Sequence, residues 1–208
     1  MEERSPGSYR FSIRGSSLRS PFGVRNVKFY LLDDLPFTDA SGNTYLNLFD
    51  YSGINNIEVL KGPYASVYGA NSGGVVLLNA KHWITDTAQY INLAAGSFGL
   101  VKEGVHFYKK WDKYSLQIDQ AYQRSDGYRR NSQMQRHFVQ ATQKWKYKPK
   151  AILILYHLFS KLQYETPGGL TEAQMNQDPR AARAPTATLP SAAHQQAGIF
   201  NTTLYNGA

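Results

Sequence analysis

Ile57-Glu58-Val59-Leu60-Lys61-Gly62-Pro63-Tyr64-Ala65-Ser66-Val67-Tyr68-Gly69-Ala70-Asn71-Ser72-Gly73-Gly74-Val75-Val76-Leu77-Leu78-Asn79 is the stretch that decides the fold. A short apolar strand enters a Lys-Gly-Pro turn, a Tyr-Gly and Gly-Gly passage follows, and a second apolar strand leaves. The strands are expected at 57–61 and 75–79. The glycines Gly62, Gly69, Gly73 and Gly74 are read as backbone devices, giving tight turns or close approach, and not as binding residues.

The residues upstream build on the same unit. Tyr9-Arg10-Phe11-Ser12-Ile13-Arg14-Gly15 alternates with period two and predicts a strand. Residues 16–25 form a Ser/Gly/Pro/Arg loop, Val27 to Leu32 a second strand, and Asp33-Asp34-Leu35-Pro36 a turn. Phe37 to Asn47 reads as loop and Leu48 to Ile54 as a short helix or turn. The expectation is a compact α+β domain over residues 1–83.

Beyond residue 84 the texture changes. Strands are predicted at 90–95, 100–109, 114–123, 136–147 and 151–162, with turns at 96–99, 110–113 and 148–150 and a polar loop at 124–135. Residues 165–198 are rich in Pro, Ala and Gln and read as a long loop, with a further strand from 196 to 205. Strands of about ten residues joined by alternately short and long connections are what an outer-membrane barrel needs. Tyr114, Leu116 and Ile118 share one face, and Ser115, Gln117 and Asp119 the other. Val139, Ala141, Trp145 and Tyr147 likewise oppose Gln140, Thr142, Lys144 and Lys146, although Gln143 interrupts the apolar set. Trp145 and Tyr147 beside a turn suit an interfacial aromatic girdle. A soluble antiparallel sheet with one wet face produces the same alternation. Ile152-Leu153-Ile154-Leu155 is apolar on both faces and fits neither pattern cleanly.

Composition agrees with this organisation. The 208 residues include 15 Tyr, 10 Phe and 3 Trp, yet mean hydropathy is negative. No run of 18 apolar residues occurs, which excludes a transmembrane helix but not barrel strands. Cysteine is absent, so neither a disulfide framework nor a thiolate metal site is available. Net charge is +8 and uneven: residues 1–83 carry 8 basic and 7 acidic side chains, residues 84–208 carry 15 and 8. A basic, aromatic-rich region suits nucleic acid, an anionic ligand, or a solvated barrel interior with its loops.

Ile13-Arg14-Gly15, the segment Val27 to Pro36 and residues 57–79, in that order, resemble the plug domain of TonB-dependent outer-membrane receptors. The resemblance spans roughly residues 9–80. Asp34 stands where that family has Gly, so this turn is expected to differ in backbone geometry, and Leu31-Leu32 leaves the strand register open. Ser125-Asp126-Gly127-Tyr128-Arg129 and Glu165-Thr166-Pro167-Gly168-Gly169-Leu170-Thr171 look like early barrel loops of receptors for ferric siderophores and ferric citrate.

The resemblance implies an α+β plug domain (1–83, its C-terminal part) followed by antiparallel strands of an incomplete transmembrane β-barrel (84–208, the first five or six strands). It implies a Gram-negative outer-membrane receptor that binds and actively imports a ferric siderophore or similar iron chelate. Its partners would be that chelate, outer-membrane lipid and the TonB energy-transducing complex, with no nucleic acid, cofactor, bound metal or enzymatic reaction. Arg14, Arg19, Arg25, Phe37 and Thr38 are the candidate ligand-contacting residues at the plug apex. Arg supplies forked donors to anionic chelates and aromatics supply flat apolar contact. Internal ion pairing for Arg14, and plain solvation for Arg19 and Arg25, stand as the alternative roles. Lys61 takes the position of a basic residue that pairs with barrel carboxylates, a plug–barrel lock. Met1-Glu2-Glu3-Arg4-Ser5-Pro6 has no apolar signal segment and no TonB contact box is found, so a fragment is expected, with an open sheet.

Other classes draw less support. Asn71-Ser72-Gly73-Gly74 resembles a chymotrypsin-like nucleophile segment, but all five histidines follow Ser72, contrary to that fold's His, Asp, Ser order. Those histidines are widely spaced and no phosphate-cradling Gly-x-x-x-x-Gly-Lys-Ser/Thr occurs. A soluble basic β-rich module for nucleic acid or polysaccharide is the second reading. It predicts basic and aromatic side chains gathered on one accessible surface.

Overall fold

The computed structural model describes residues 2–5, 8–11, 13, 27–31, 35–39, 42, 44–51, 54–62, 67–69, 73–80, 87–184 and 194–207. The chain divides into two compact units: residues 1–4 with 8–82, and residues 5–7 with 83–208. Among the described residues no helix is long and apolar enough to cross a membrane.

In the N-terminal unit, β1 (Glu2–Ser5) and β2 (Ser8–Arg10) form a two-stranded sheet. β3 (Val27–Leu31), β4 (Leu35–Pro36), β5 (Ile54–Leu60) and β6 (Gly74–Ala80) form a second sheet in the order β4-β3-β6-β5. β3 runs parallel to β6, while β5 runs antiparallel to it. β6 is thus an interior strand. Gly74 to Leu78 are all buried, which a continuous Gly-Val-Val-Leu-Leu run permits because neither face needs a polar side chain. β3 instead alternates: Val27, Phe29 and Leu31 are buried and Lys28 and Tyr30 half-buried. A 3-10 turn at Leu46–Leu48 buries both leucines and leads into fully buried Phe49. Each such side chain removed from water is worth about 1.5–3 kcal/mol.

Several boundaries differ from the sequence reading. The strand expected over 9–15 covers only Ser8–Arg10, and Ile13 sits in a bend as a buried residue. Leu35–Pro36, read as part of a turn, pairs with Tyr30 and Leu31 as a strand. The helix or turn expected over 48–54 is a 3-10 turn two residues earlier, and Ile54 already starts β5. Asp33, Asp34 and the Arg14-to-Arg25 segment lie outside the described residues.

The C-terminal unit is one sheet. β7 (Thr87–Gly96), β8 (Leu100–Lys110), β9 (Tyr114–Ser125), β10 (Met134–Lys148), β11 (Ala151–Glu165) and β12 (His194–Gly207) are antiparallel to their chain neighbours. The order is β12-β11-β10-β9-β8-β7, so β7 and β12 are edges and the sheet is open, as expected. The connections alternate. Residues 97–99, 126–133 and 166–193 join strands at one end, and residues 111–113 and 149–150 at the other. Phe98 and Gly99 both take positive φ, the twist-matched geometry of a tight hairpin. Within the stretch read as a long loop, α1 (Glu172–Gln177) opens on a capping box between Thr171 and Gln174, and β12 already begins at His194.

One face of this sheet buries polar side chains together with Ala121, Met134, Phe138, Tyr156, Leu158 and Leu162, while the other exposes aliphatic rows. His106, Gln117, Asp119, Arg136, Gln140, Thr142 and Ser160 are buried. Leu93 (78% exposed), Ile91 (68%), Val105, Val139 and Phe159 face outward on the opposite side. Strand pairing carries this across the sheet, since Ile91, Val105, Gln120, Val139 and Phe159 lie in one cross-strand row. Burying carboxylate, imidazole and amide while exposing aliphatic rows is costly in water and favourable in lipid around a polar lumen.

Candidate functional site

In the N-terminal unit the Tyr-Gly passage is clamped onto β3. Lys28 Nζ donates to the Tyr68 carbonyl at 3.0 Å and Tyr30 Oη donates to the same oxygen at 3.1 Å. The Tyr30 and Tyr68 rings lie 4.8 Å apart. Burial, then the neighbouring Tyr68, pushes the Tyr30 phenol up, so it stays a donor. Gly74 begins β6 at φ +128°, and a Cβ there would meet the Leu60 carbonyl oxygen at 2.7 Å. The glycine is therefore required by the close approach of β5.

Of the candidate apex residues, Arg14, Arg19 and Arg25 lie outside the described residues. Phe37 and Thr38 are adjacent and half-buried. The Phe37 ring packs 5.4 Å from Phe49. Thr38 Oγ1 accepts from the Phe29 backbone N–H at 2.9 Å and bonds to Thr44 Oγ1 at 2.7 Å. Both side chains thus also anchor the loop after β4. Lys61 is exposed at the end of β5, followed by Gly62 at φ +75°, and has no ion-pair partner among the described residues.

In the C-terminal unit the buried polar face centres on Asp119, which accepts from three side chains. Its Oδ1 meets His106 Nδ1, and its Oδ2 accepts from Gln117 Nε2 at 2.8 Å and Gln140 Nε2 at 2.9 Å. Tyr156 Oη extends the chain to Gln140 Oε1 at 3.3 Å, and Tyr90 stacks on His106 at 4.7 Å. Such a network satisfies both oxygens of a buried carboxyl with side-chain partners. Sequence reading placed Asp119 and Gln117 on one face but did not single them out. Strand register brings His106, Asp119 and Gln140 side by side on three strands, and a single sequence carries no direct mark of that register.

At the long-loop end, two loops lock together. Arg130 N–H donates to the Arg180 carbonyl at 2.8 Å, Arg129 Nε to the Ala181 carbonyl at 3.0 Å, and Arg180 Nε to the Tyr128 carbonyl at 3.3 Å. Arg130 Nη2 pairs with Asp178 at 2.5 Å, and the Arg180 guanidinium lies 5.8 Å from the Tyr128 ring centre. Tyr128 in turn packs edge-on against Phe98 of the first hairpin. The backbone N–H of Arg180, then the Arg130 guanidinium, hold the Asp178 carboxyl below its usual 3.8. The result is an arginine-rich rim in which the two loops are bonded to each other. The described residues contain no group of three or more His, Asp or Glu side chains arranged to hold a metal ion.

Residues 2–76 match the family model of the TonB-dependent receptor plug domain. The N-terminal unit is a TonB-dependent receptor plug domain. Solved structures of similar fold extend the likeness into the antiparallel strands. The unliganded ferric citrate transporter FecA matches with a TM-score of 0.68 at 17% identity, over 86% of this chain and 28% of that one. The ferripyoverdine receptor of the outer membrane of Pseudomonas aeruginosa matches with a TM-score of 0.55 at 16% identity, over 66% and 19%. The siderophore receptor PirA from Pseudomonas aeruginosa matches with a TM-score of 0.51 at 22% identity, over 74% and 28%. At these identities the likeness establishes the fold: a plug followed by antiparallel strands of an unclosed barrel. The chain spans between about a fifth and somewhat more than a quarter of the length of the structures it resembles.

Proposed function

We propose that residues 1–83 are the C-terminal part of the plug and residues 84–208 the first strands of a Gram-negative outer-membrane receptor that imports an iron chelate. One observation carries the reading: a plug-family unit is followed by a sheet with a buried polar face and an exposed apolar face. An apolar band facing lipid and a polar lumen require that polarity. The edges β7 and β12 need further strands, because unpaired backbone groups do not persist in hydrocarbon.

Import in this scheme involves no bond chemistry. Chelate binding outside favours one plug arrangement over another, and the TonB complex supplies the energy that releases it. Arg14, Arg19, Arg25, Phe37 and Thr38 are proposed to meet the ligand, and Lys61 to lock plug to barrel. The arginine-rich rim of Arg129, Arg130 and Arg180 adds cationic donors suited to carboxylate or hydroxamate oxygens. The preference for iron chelates rests on the loop resemblance and on the ferric citrate and siderophore receptors of similar fold.

The test is uptake of radiolabelled iron chelates by cells producing the complete receptor, against a deletion strain under iron limitation. Chelate-specific uptake that requires TonB supports the reading. Uptake of cobalamin or a saccharide instead, with none of any iron chelate, overturns the substrate assignment.

A further inference from the structure

The short-turn end of the C-terminal sheet carries a charge that neither the plug nor ligand capture uses. Residues 109–113 and 144–150 contain seven lysines and a single acidic residue, Asp112. All the lysines except half-buried Lys144 are exposed. The two turns are adjacent, with Lys146 N–H donating to the Lys113 carbonyl at 2.8 Å. Aromatics are interleaved: Trp111 (44% exposed), Trp145 (52%) and Tyr147 (40%). Lys109 Nζ lies 5.1 Å from the Trp111 ring centre and Lys148 Nζ 5.9 Å from that of Tyr147.

This cationic end borders an apolar groove. Tyr114, Trp145 and Leu153 form one cross-strand row, and Leu116, Gln143 and Leu155 the next, which Lys109 continues. Tyr114, Gln143, Trp145, Leu153 and Leu155 line a cavity of about 370 Å³. Its polar edge is closed from within, since Tyr114 Oη donates to Gln143 Oε1 at 2.9 Å. A groove on the outward face, continuous with the exposed aliphatic rows and capped by lysines, matches a molecule with an acyl chain and an anionic head.

We propose that this end binds an anionic phospholipid, its phosphate among Lys109, Lys113 and Lys148 and an acyl chain in the Tyr114–Trp145–Leu153–Leu155 groove. The proposal rests on the membrane-barrel reading above. Charge complementarity selects an anionic lipid over a zwitterionic one, with the Lys109 and Lys148 ammonium groups standing beside aromatic rings at the end of the groove. The aromatic girdle alone would position the barrel but would not distinguish headgroups.

The complete barrel protein that carries these strands would be reconstituted in nanodiscs containing phosphatidylglycerol and phosphatidylcholine, and its retained lipids counted by native mass spectrometry. The wild type is expected to retain phosphatidylglycerol preferentially. The variant Lys109→Gln/Lys113→Gln/Lys148→Gln should lose that preference, by roughly fivefold per lysine and so on the order of a hundredfold, while keeping its heat-modifiable barrel mobility. Trp145→Ala should reduce retention of both lipids. Equal retention of the two lipids by the wild type overturns the proposal. So does an unchanged preference in the triple lysine variant, or oligonucleotide binding tighter than phosphatidylglycerol binding. A protein that inserts normally but is indifferent to headgroup sinks only this proposal, whereas failure to insert sinks the receptor reading with it.

Discussion

Gly74 shows how much one residue decides. Its φ of +128° and the 2.7 Å from a Cβ to the Leu60 carbonyl leave no room for a side chain. Gly74→Ala is expected to destabilise the plug by about 1–3 kcal/mol. Thermal melting of the receptor, with proteolysis of residues 54–80 as local readout, checks this. Thr38 separates structure from ligand contact. Thr38→Val removes the acceptor of the Phe29 N–H and should cost about 1 kcal/mol of stability. If Thr38 also meets the chelate, the variant's apparent affinity for chelate falls at temperatures where its fold is intact. Unchanged affinity there removes Thr38 from the binding set. For Lys61, plug retention and transport both unchanged in Lys61→Ala would overturn the lock. The motif around these residues was legible because a Gly-Gly entry to an apolar strand has few physical uses. The engagement of the Thr38 hydroxyl was not, because Phe29 and Thr44 are brought to it by the turn back along β3.

At the scale of elements, the alternation read in β9 and in β10 up to Lys146 was correct, whereas Tyr147 falls at a register shift between Lys146 and Lys148, and burial decides which side each face takes. Val139 is 39% exposed in a row of outward residues. Val139→Arg should therefore cost about 2–4 kcal/mol if the row lies in lipid, seen as loss of assembled, heat-resistant barrel. A soluble sheet would tolerate the same change with almost no effect. On the opposite face, Asp119→Leu strands the donors of Gln117 and Gln140 and the partner nitrogen of His106. A loss on the order of 3–5 kcal/mol is expected, measured by denaturant unfolding in detergent. The loop clamp has its own pH signature. Because the folded Asp178 carboxyl sits below 3.8, its contribution is full above that value and is lost as pH falls through the lower folded value. Protection from hydrogen exchange at residues 128–130 and 180–181, taken relative to the intrinsic rate at each pH, should be constant from neutral pH to about 5 and fall only in more acid solution. Asp178→Asn should show the weaker protection already at neutral pH and converge with the wild type in acid. The two loops were visible in the sequence as Ser125-Asp126-Gly127-Tyr128 and Asp178-Pro179-Arg180, but their joining was not.

At the scale of the molecule, the sheet ends in two unpaired edges, β7 and β12. Expressed by itself, the 208-residue chain should give no heat-modifiable barrel in outer-membrane extracts, since exposed strand edges have no partners in hydrocarbon. The sequence by itself determined the order and approximate limits of the strands, the plug motif and the short and long connections. Those properties are local: period-two alternation, turn residues and glycine spacing act over a few residues. Tertiary structure alone decided which face is buried, the Asp119 network, the loop clamp and the joining of two lysine-rich turns beside an apolar groove. Each of these depends on strand register, and a one-residue slip would turn every side chain to the other face. Register is set by contacts between residues far apart in the chain, so it becomes visible only when the strands are laid side by side.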